Sequence, residues 1–181
     1  MLLFFYYDIP KDIKKYYQSF YTFFEYAFFA FFFWYNINNK KIRRIIFYLS
    51  IFFFIFQIIY VFDAQLIRLD SVPIGIETIL IFSFVFYFFY ESSQKLSPNY
   101  IYNHYCFWIS VGVLIYLGGS FFFYITINLL TPDEVTTFGN LTYVAEIIKN
   151  LLFATAIFIY ARYPFEKTKD KNESIPLLDM I

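Results

Sequence analysis

Long apolar runs separated by short polar intervals are the repeating unit of this chain. The first run, residues 16–35, reads YYQSFYTFFEYAFFAFFFWY. At about 1.5 Å of helical rise per residue, a run of that length covers about 30 Å, the hydrocarbon thickness of a bilayer. The interval NINNKKIRR ends it, and residues 45–62 form the second run. After DAQLIRLDS the third run covers 72–90, with Pro73 at a helix start, where its missing N–H costs nothing. A polar stretch over 91–105 precedes the fourth run, 106–130, and TPDEVTTFGN separates that from the fifth, 141–161. The pattern predicts an all-α fold: a polytopic transmembrane helical bundle of about five spanning helices, occupying residues 16–161.

The flanks read differently. MLLFFYYDIPKDIKK, residues 1–15, has too short an apolar stretch to span and no small-residue cleavage site, so an interfacial N-terminal arm is expected. Residues 162–181 are polar and charge-mixed, as expected of a mobile cytoplasmic tail.

Composition strengthens the membrane reading. Hydrophobic residues make up 60% of the chain and charged residues 15%, with a mean hydropathy of +0.55, more apolar than one soluble core requires. The 29 Phe and 19 Tyr resemble an aromatic lining, but any large apolar side chain satisfies a lipid-facing position, and their codons are AT-rich.

Charge sets the orientation and excludes some chemistry. One side, with loops 36–44 and 91–105 and the C-terminal tail, carries nine Lys and Arg against four on the other, which places the C-terminus in the cytoplasm. Tyr16, Tyr17, Tyr60 and Tyr143 fall near one boundary, and Trp34, Tyr35, Tyr90, Trp108 and Tyr163 near the other, as interfacial belts do. Fourteen basic residues balance fourteen acidic ones, so nothing points to direct nucleic-acid binding. Cys106 and His104 are each alone, which excludes an intramolecular disulfide and a His- or Cys-rich metal site, and no cofactor is expected.

The polar residues inside the runs are the candidate site. Glu25 lies about halfway along the first run, while Gln57, Glu77 and Glu146 lie about six residues from the outer ends of theirs. Lys149 and Asn150 sit one turn past Glu146, at spacings that put all three on one helical face, continued by Thr142 and Phe153. A charge near the bilayer centre costs roughly 2.5 to 3.5 kcal/mol, so these groups are expected to face inward and meet. Three carboxylates against one ammonium leave two readings open. The first is a dry seal in which acids carry protons and a Glu/Lys pair holds helices together. The second is a pocket reached by water, a cation or a cationic ligand. In the fourth run Gly112, Gly119 and Ser120 share a face where another helix can approach closely. NLT at 140–142 and NES at 172–174 match the glycosylation pattern, which is common by chance.

The segments YTFFEYAFFAFFF, PIGIETILIFSFVFYFFYE, FWISVGVLIYLGGSFFF and EIIKNLLFA together resemble a group of uncharacterised multi-pass inner-membrane proteins of Bacteroidota. The likeness covers most of residues 15–160 and marks Glu25, Glu77, Gly112, Gly119, Lys149 and Asn150. It implies a cell inner-membrane location and a genetic association with signalling components, without an established activity. Proteins of that group carry helices ahead of the first Glu-bearing span, where this chain has residues 1–15.

The expected function is therefore a sensory or regulatory membrane module, in which a polar intramembrane pocket modulates a protein partner. The alternative is a small oligomeric channel or membrane-perturbing accessory effector, such as an anti-phage or CRISPR-type defence system uses. No Ser/His arrangement, metal constellation or carboxylate pair with cytoplasmic access assembles, so the chain does not read as an enzyme. The bilayer and a protein partner or second copy are the expected associates.

Overall fold

A computed structural model describes residues 11–63, 71–95, 102, 104–126 and 129–162. They form five α-helices, with no strand among the described residues: α1 (Lys11–Asn36), α2 (Lys40–Asp63), α3 (Ser71–Lys95), α4 (Tyr105–Thr126) and α5 (Pro132–Arg162). Residues 1–10 of the expected arm, residues 163–181 of the expected tail, Tyr163 and the NES pattern lie outside the described residues.

Four stretches are long and apolar enough to cross a membrane: Lys40–Phe62, Val72–Gln94, Tyr105–Thr126 and Asp133–Arg162. The protein is a multi-pass membrane protein with a helical bundle fold. The 26-residue α1 is long enough but is not among the four, because Tyr, Thr and Glu25 dilute its apolar content. It still packs as a bundle helix. Thr22, Tyr26, Phe29, Ala30 and Phe33 are buried, whereas Phe20, Phe24, Phe28, Phe31 and Tyr35 form an exposed stripe at helical spacing.

Two expected boundaries move, each for a visible local reason. TPDEVTTFGN is not a loop: α5 begins at Pro132 and runs 31 residues. Glu134 Oε2 accepts from both the backbone N–H and the hydroxyl of Thr131, each at 2.8 Å, so the Glu134 carboxylate reaches back to cap the helix start, with Pro132 at the first helical position. The NLT pattern consequently lies inside α5, with Thr142 buried and its hydroxyl donating to Gly139 O at 2.8 Å. Residues 11–15, assigned to the arm, are the first turns of α1. At the other end of the bundle, Asn39 Oδ1 caps α2 by accepting the Lys41 N–H at 2.9 Å.

α1 packs between α2 and α3, α3 packs on α4, and α4 and α5 form the most extensive pair. The central core joins Tyr26 and Phe33 of α1, Phe53 of α2, Ile81 and Val85 of α3, and Cys106 and Val113 of α4. Glu91 on α3 accepts the Asn38 N–H at 2.9 Å, and Tyr87 accepts from Asn39 Nδ2 at 3.0 Å, so α3 holds the short α1–α2 connection. Elsewhere α2 and α5 turn Phe52, Ile55, Ile58 and Ile59, and Ile147, Leu151, Ile157 and Phe158, outward, as lipid-facing helices do.

Candidate functional site

Small residues on α4 create the close approach that positions the site. A Cβ at Gly119 would lie 2.8 Å from Ala145 Cβ, and one at Gly112 would lie 3.0 Å from the Phe153 ring. Only glycine permits this spacing between α4 and α5, and Lys149 lies between the two contact levels on α5. Ser120 is buried and returns its hydroxyl to Tyr116 O of its own helix at 2.7 Å. Gly112 and Gly119, expected on a packing face, lie where α4 meets Phe153 and Ala145 of α5.

Around Lys149 the structure assembles a polar layer from α1, α4 and α5. Lys149 is only 9% exposed, and its Nζ lies 3.7 Å from the centroid of the Tyr116 ring. The Tyr116 hydroxyl is 3.1 Å from that of Tyr21, which donates to Glu25 Oε1 at 3.3 Å. Lys149 and Glu146 are both electrostatic neighbours of Glu25. Among the described residues, no carboxylate comes within the 4.0 Å of a direct ion pair with Lys149. The ammonium is met by a ring face, an arrangement worth about 2 kcal/mol when desolvated.

Glu77 is the most enclosed acid in the layer. It is 2% exposed on α3, its Oε1 is buried without a hydrogen-bond partner, and Glu25 is its electrostatic neighbour. A buried carboxyl oxygen left bare costs about 1 to 3 kcal/mol, so its persistence calls for an explanation such as a proton, an ion or water.

Two expected members stand apart. Asn150 is exposed on α5 and does not join the layer. The packed face of α5 runs through Thr142, Ala145, Lys149 and Ala156, and at about 100° per residue Asn150 has turned about a quarter circle away from it. Glu146 sits at the edge of that face and is half-buried. Gln57, 4% exposed, donates from Nε2 to Ser19 O at 3.0 Å, tying α2 to the α1 backbone; its Oε1 is buried and unpartnered.

The sequence reading passed over Tyr21 and Tyr116, which bridge the charged groups. Tyr21 stands one turn before Glu25 and shares its face, a signal masked by the abundance of tyrosine. Cys106 is buried, with its thiol 3.0 Å from Asn36 Oδ1, and among the described residues no three or more His, Cys, Asp and Glu side chains cluster as ligands of a metal. His104, just before α4, stacks on Tyr105 with centroids 5.0 Å apart, and partial burial holds its imidazole below the usual range. No family model, curated protein or solved structure matches this chain.

Proposed function

We propose that the chain is a non-catalytic sensory or regulatory module of the cell inner membrane. Its polar layer takes up an ion or small cation, and the resulting change in helix packing is passed to a protein partner. The observation that supports this reading is the bare Oε1 of Glu77, 2% exposed and beside Glu25, while Lys149 is turned onto the Tyr116 ring. Two neighbouring acids without a direct ammonium partner form a site that a cation completes. Tyr21 and Tyr116 link the Glu25 end to α4, and the glycine-lined α4–α5 contact is the packing that charge neutralisation would adjust.

The test is a thermal melt of purified protein in nanodiscs, against a panel of alkali, alkaline-earth and alkylammonium ions. At least one cation is expected to raise the midpoint in wild type and to lose that effect in Glu77→Gln. If no cation shifts the wild-type melt, or if the shift survives Glu77→Gln, the reading fails.

A further inference from the structure

At the opposite end of α1 from the first turns of the bundle, the end of α1 and the start of α2 border an open surface groove of about 420 Å³ lined by Trp34, Lys40, Arg43, Arg44, Phe47 and Tyr48. Three cations converge on it. Arg43 Cζ lies 4.2 Å from the centroid of the Trp34 ring, so the guanidinium sits over the aromatic face. Among the described residues, no carboxylate is within ion-pair distance of Lys40, Arg43 or Arg44. Glu91, which the α1–α2 connection brings to this end, is buried and accepts the Asn38 N–H.

A bias of basic residues toward one side of the membrane accounts for their presence at this boundary, but not for their convergence on one groove with Trp34. The order along α2 adds the decisive feature. Arg43 and Phe47, and likewise Arg44 and Tyr48, are one turn apart, so the face changes from cationic to aromatic in the direction of the apolar span. Phe47 and Tyr48 are exposed where the bilayer would touch them. A molecule matching both halves carries a phosphate at its head and hydrocarbon below it.

We infer that this groove is a binding site for the phosphodiester headgroup of an acidic phospholipid. Arg43 and Arg44 donate to phosphate oxygens, Lys40 adds a point charge, and the upper acyl chains lie along Phe47 and Tyr48. The site is distinct from the Glu25–Glu77 layer and does not depend on its role.

Native mass spectrometry and melting in nanodiscs of phosphatidylglycerol or phosphatidylcholine test the assignment. Wild type is expected to retain phosphatidylglycerol and to melt higher in it. Lys40→Gln combined with Arg44→Gln changes only exposed side chains, so folding is preserved, and it should weaken retention by more than about tenfold. Trp34→Leu, which frees the Arg43 guanidinium, should weaken it further. Millimolar inorganic phosphate should leave retention unchanged; phosphate that displaces the lipid and protects the protein equally well would overturn the lipid assignment in favour of a free anion. Equal retention of both lipids, or retention unaffected by the double substitution, would overturn the site altogether.

Discussion

Lys149 Nζ lies 3.7 Å from the centre of the Tyr116 ring, so the buried ammonium of α5 is met by an aromatic face on α4. The same tyrosine points its hydroxyl at Tyr21, 3.1 Å away, and so joins α4 to α1. Its ring and its hydroxyl therefore have separable tasks. Tyr116→Phe keeps the ring and should cost about 1 kcal/mol, the worth of one hydrogen bond. Tyr116→Leu also strips the partner from Lys149 and should cost about 2 kcal/mol more. Equal melting midpoints for the two variants would show that the ring face contributes nothing.

The 2.8 Å separation between a Cβ built at Gly119 and Ala145 Cβ makes a reciprocal test possible. Gly119→Ala should destabilise the bundle by about 1 to 3 kcal/mol through overpacking. Adding Ala145→Gly should restore much of that loss, giving a coupling of about 1 kcal/mol in a double-mutant cycle. Gly112→Ala, which meets a Phe153 ring able to give way at 3.0 Å, should be milder. Additive effects of Gly119→Ala and Ala145→Gly would contradict the close contact.

Replacing Glu77 separates stability from response. Its bare Oε1 makes Glu77→Met a relief of strain, so the variant is expected to melt above wild type in cation-free buffer. The same change should abolish any cation-dependent shift. A fall in the midpoint instead would identify Glu77 as a structural group whose carboxyl fills its site better than a thioether does.

The two bonds from Thr131 to the Glu134 carboxylate anchor the first turns of α5. Thr131→Val removes the hydroxyl donor and should accelerate amide exchange over residues 133–138 about fivefold, with exchange in the α4–α5 contact unaltered. Unchanged protection there would mean that the extension of α5 does not depend on this cap.

His104 supplies a pH dependence. Partial burial lowers its folded-state affinity for a proton below the ordinary value of about 6.5, so the unfolded chain binds the proton more readily. Its contribution is present above about pH 6.5 and is lost as pH falls through the lower folded value. His104→Phe should flatten the slope of melting temperature against pH in that acidic window while leaving the slope above pH 7 alone. An identical profile in wild type and variant would remove His104 from the acid response.

Much of this protein is set by one-dimensional pattern. Apolar runs of bilayer length must become helices, because no water is present in the hydrocarbon to satisfy an open backbone. The cost of burying Glu25, Glu77 and Lys149 in lipid likewise dictates that they turn inward. Gly112 and Gly119, seven apart, mark a packing face before any partner is known. The cap Thr131–Glu134 was legible too, but its polar letters read more readily as a loop.

Helix rotation and side-chain reach were decided only in three dimensions. Spacing groups Glu146, Lys149 and Asn150, yet the contact with α4 is centred on Ala145, Lys149 and Ala156, which leaves Asn150 outside and Glu146 at the rim. Opposite charges along the chain suggest a direct Glu/Lys pair. The bundle instead places Tyr116 under the ammonium, because the α4–α5 approach permitted by glycine brings that ring closer than any carboxylate on α1 or α3. Sequence marked Glu25, Glu77 and Lys149 as groups that leave the lipid; helix rotation and packing distances settled that Asn150 does not, and which of the others meet.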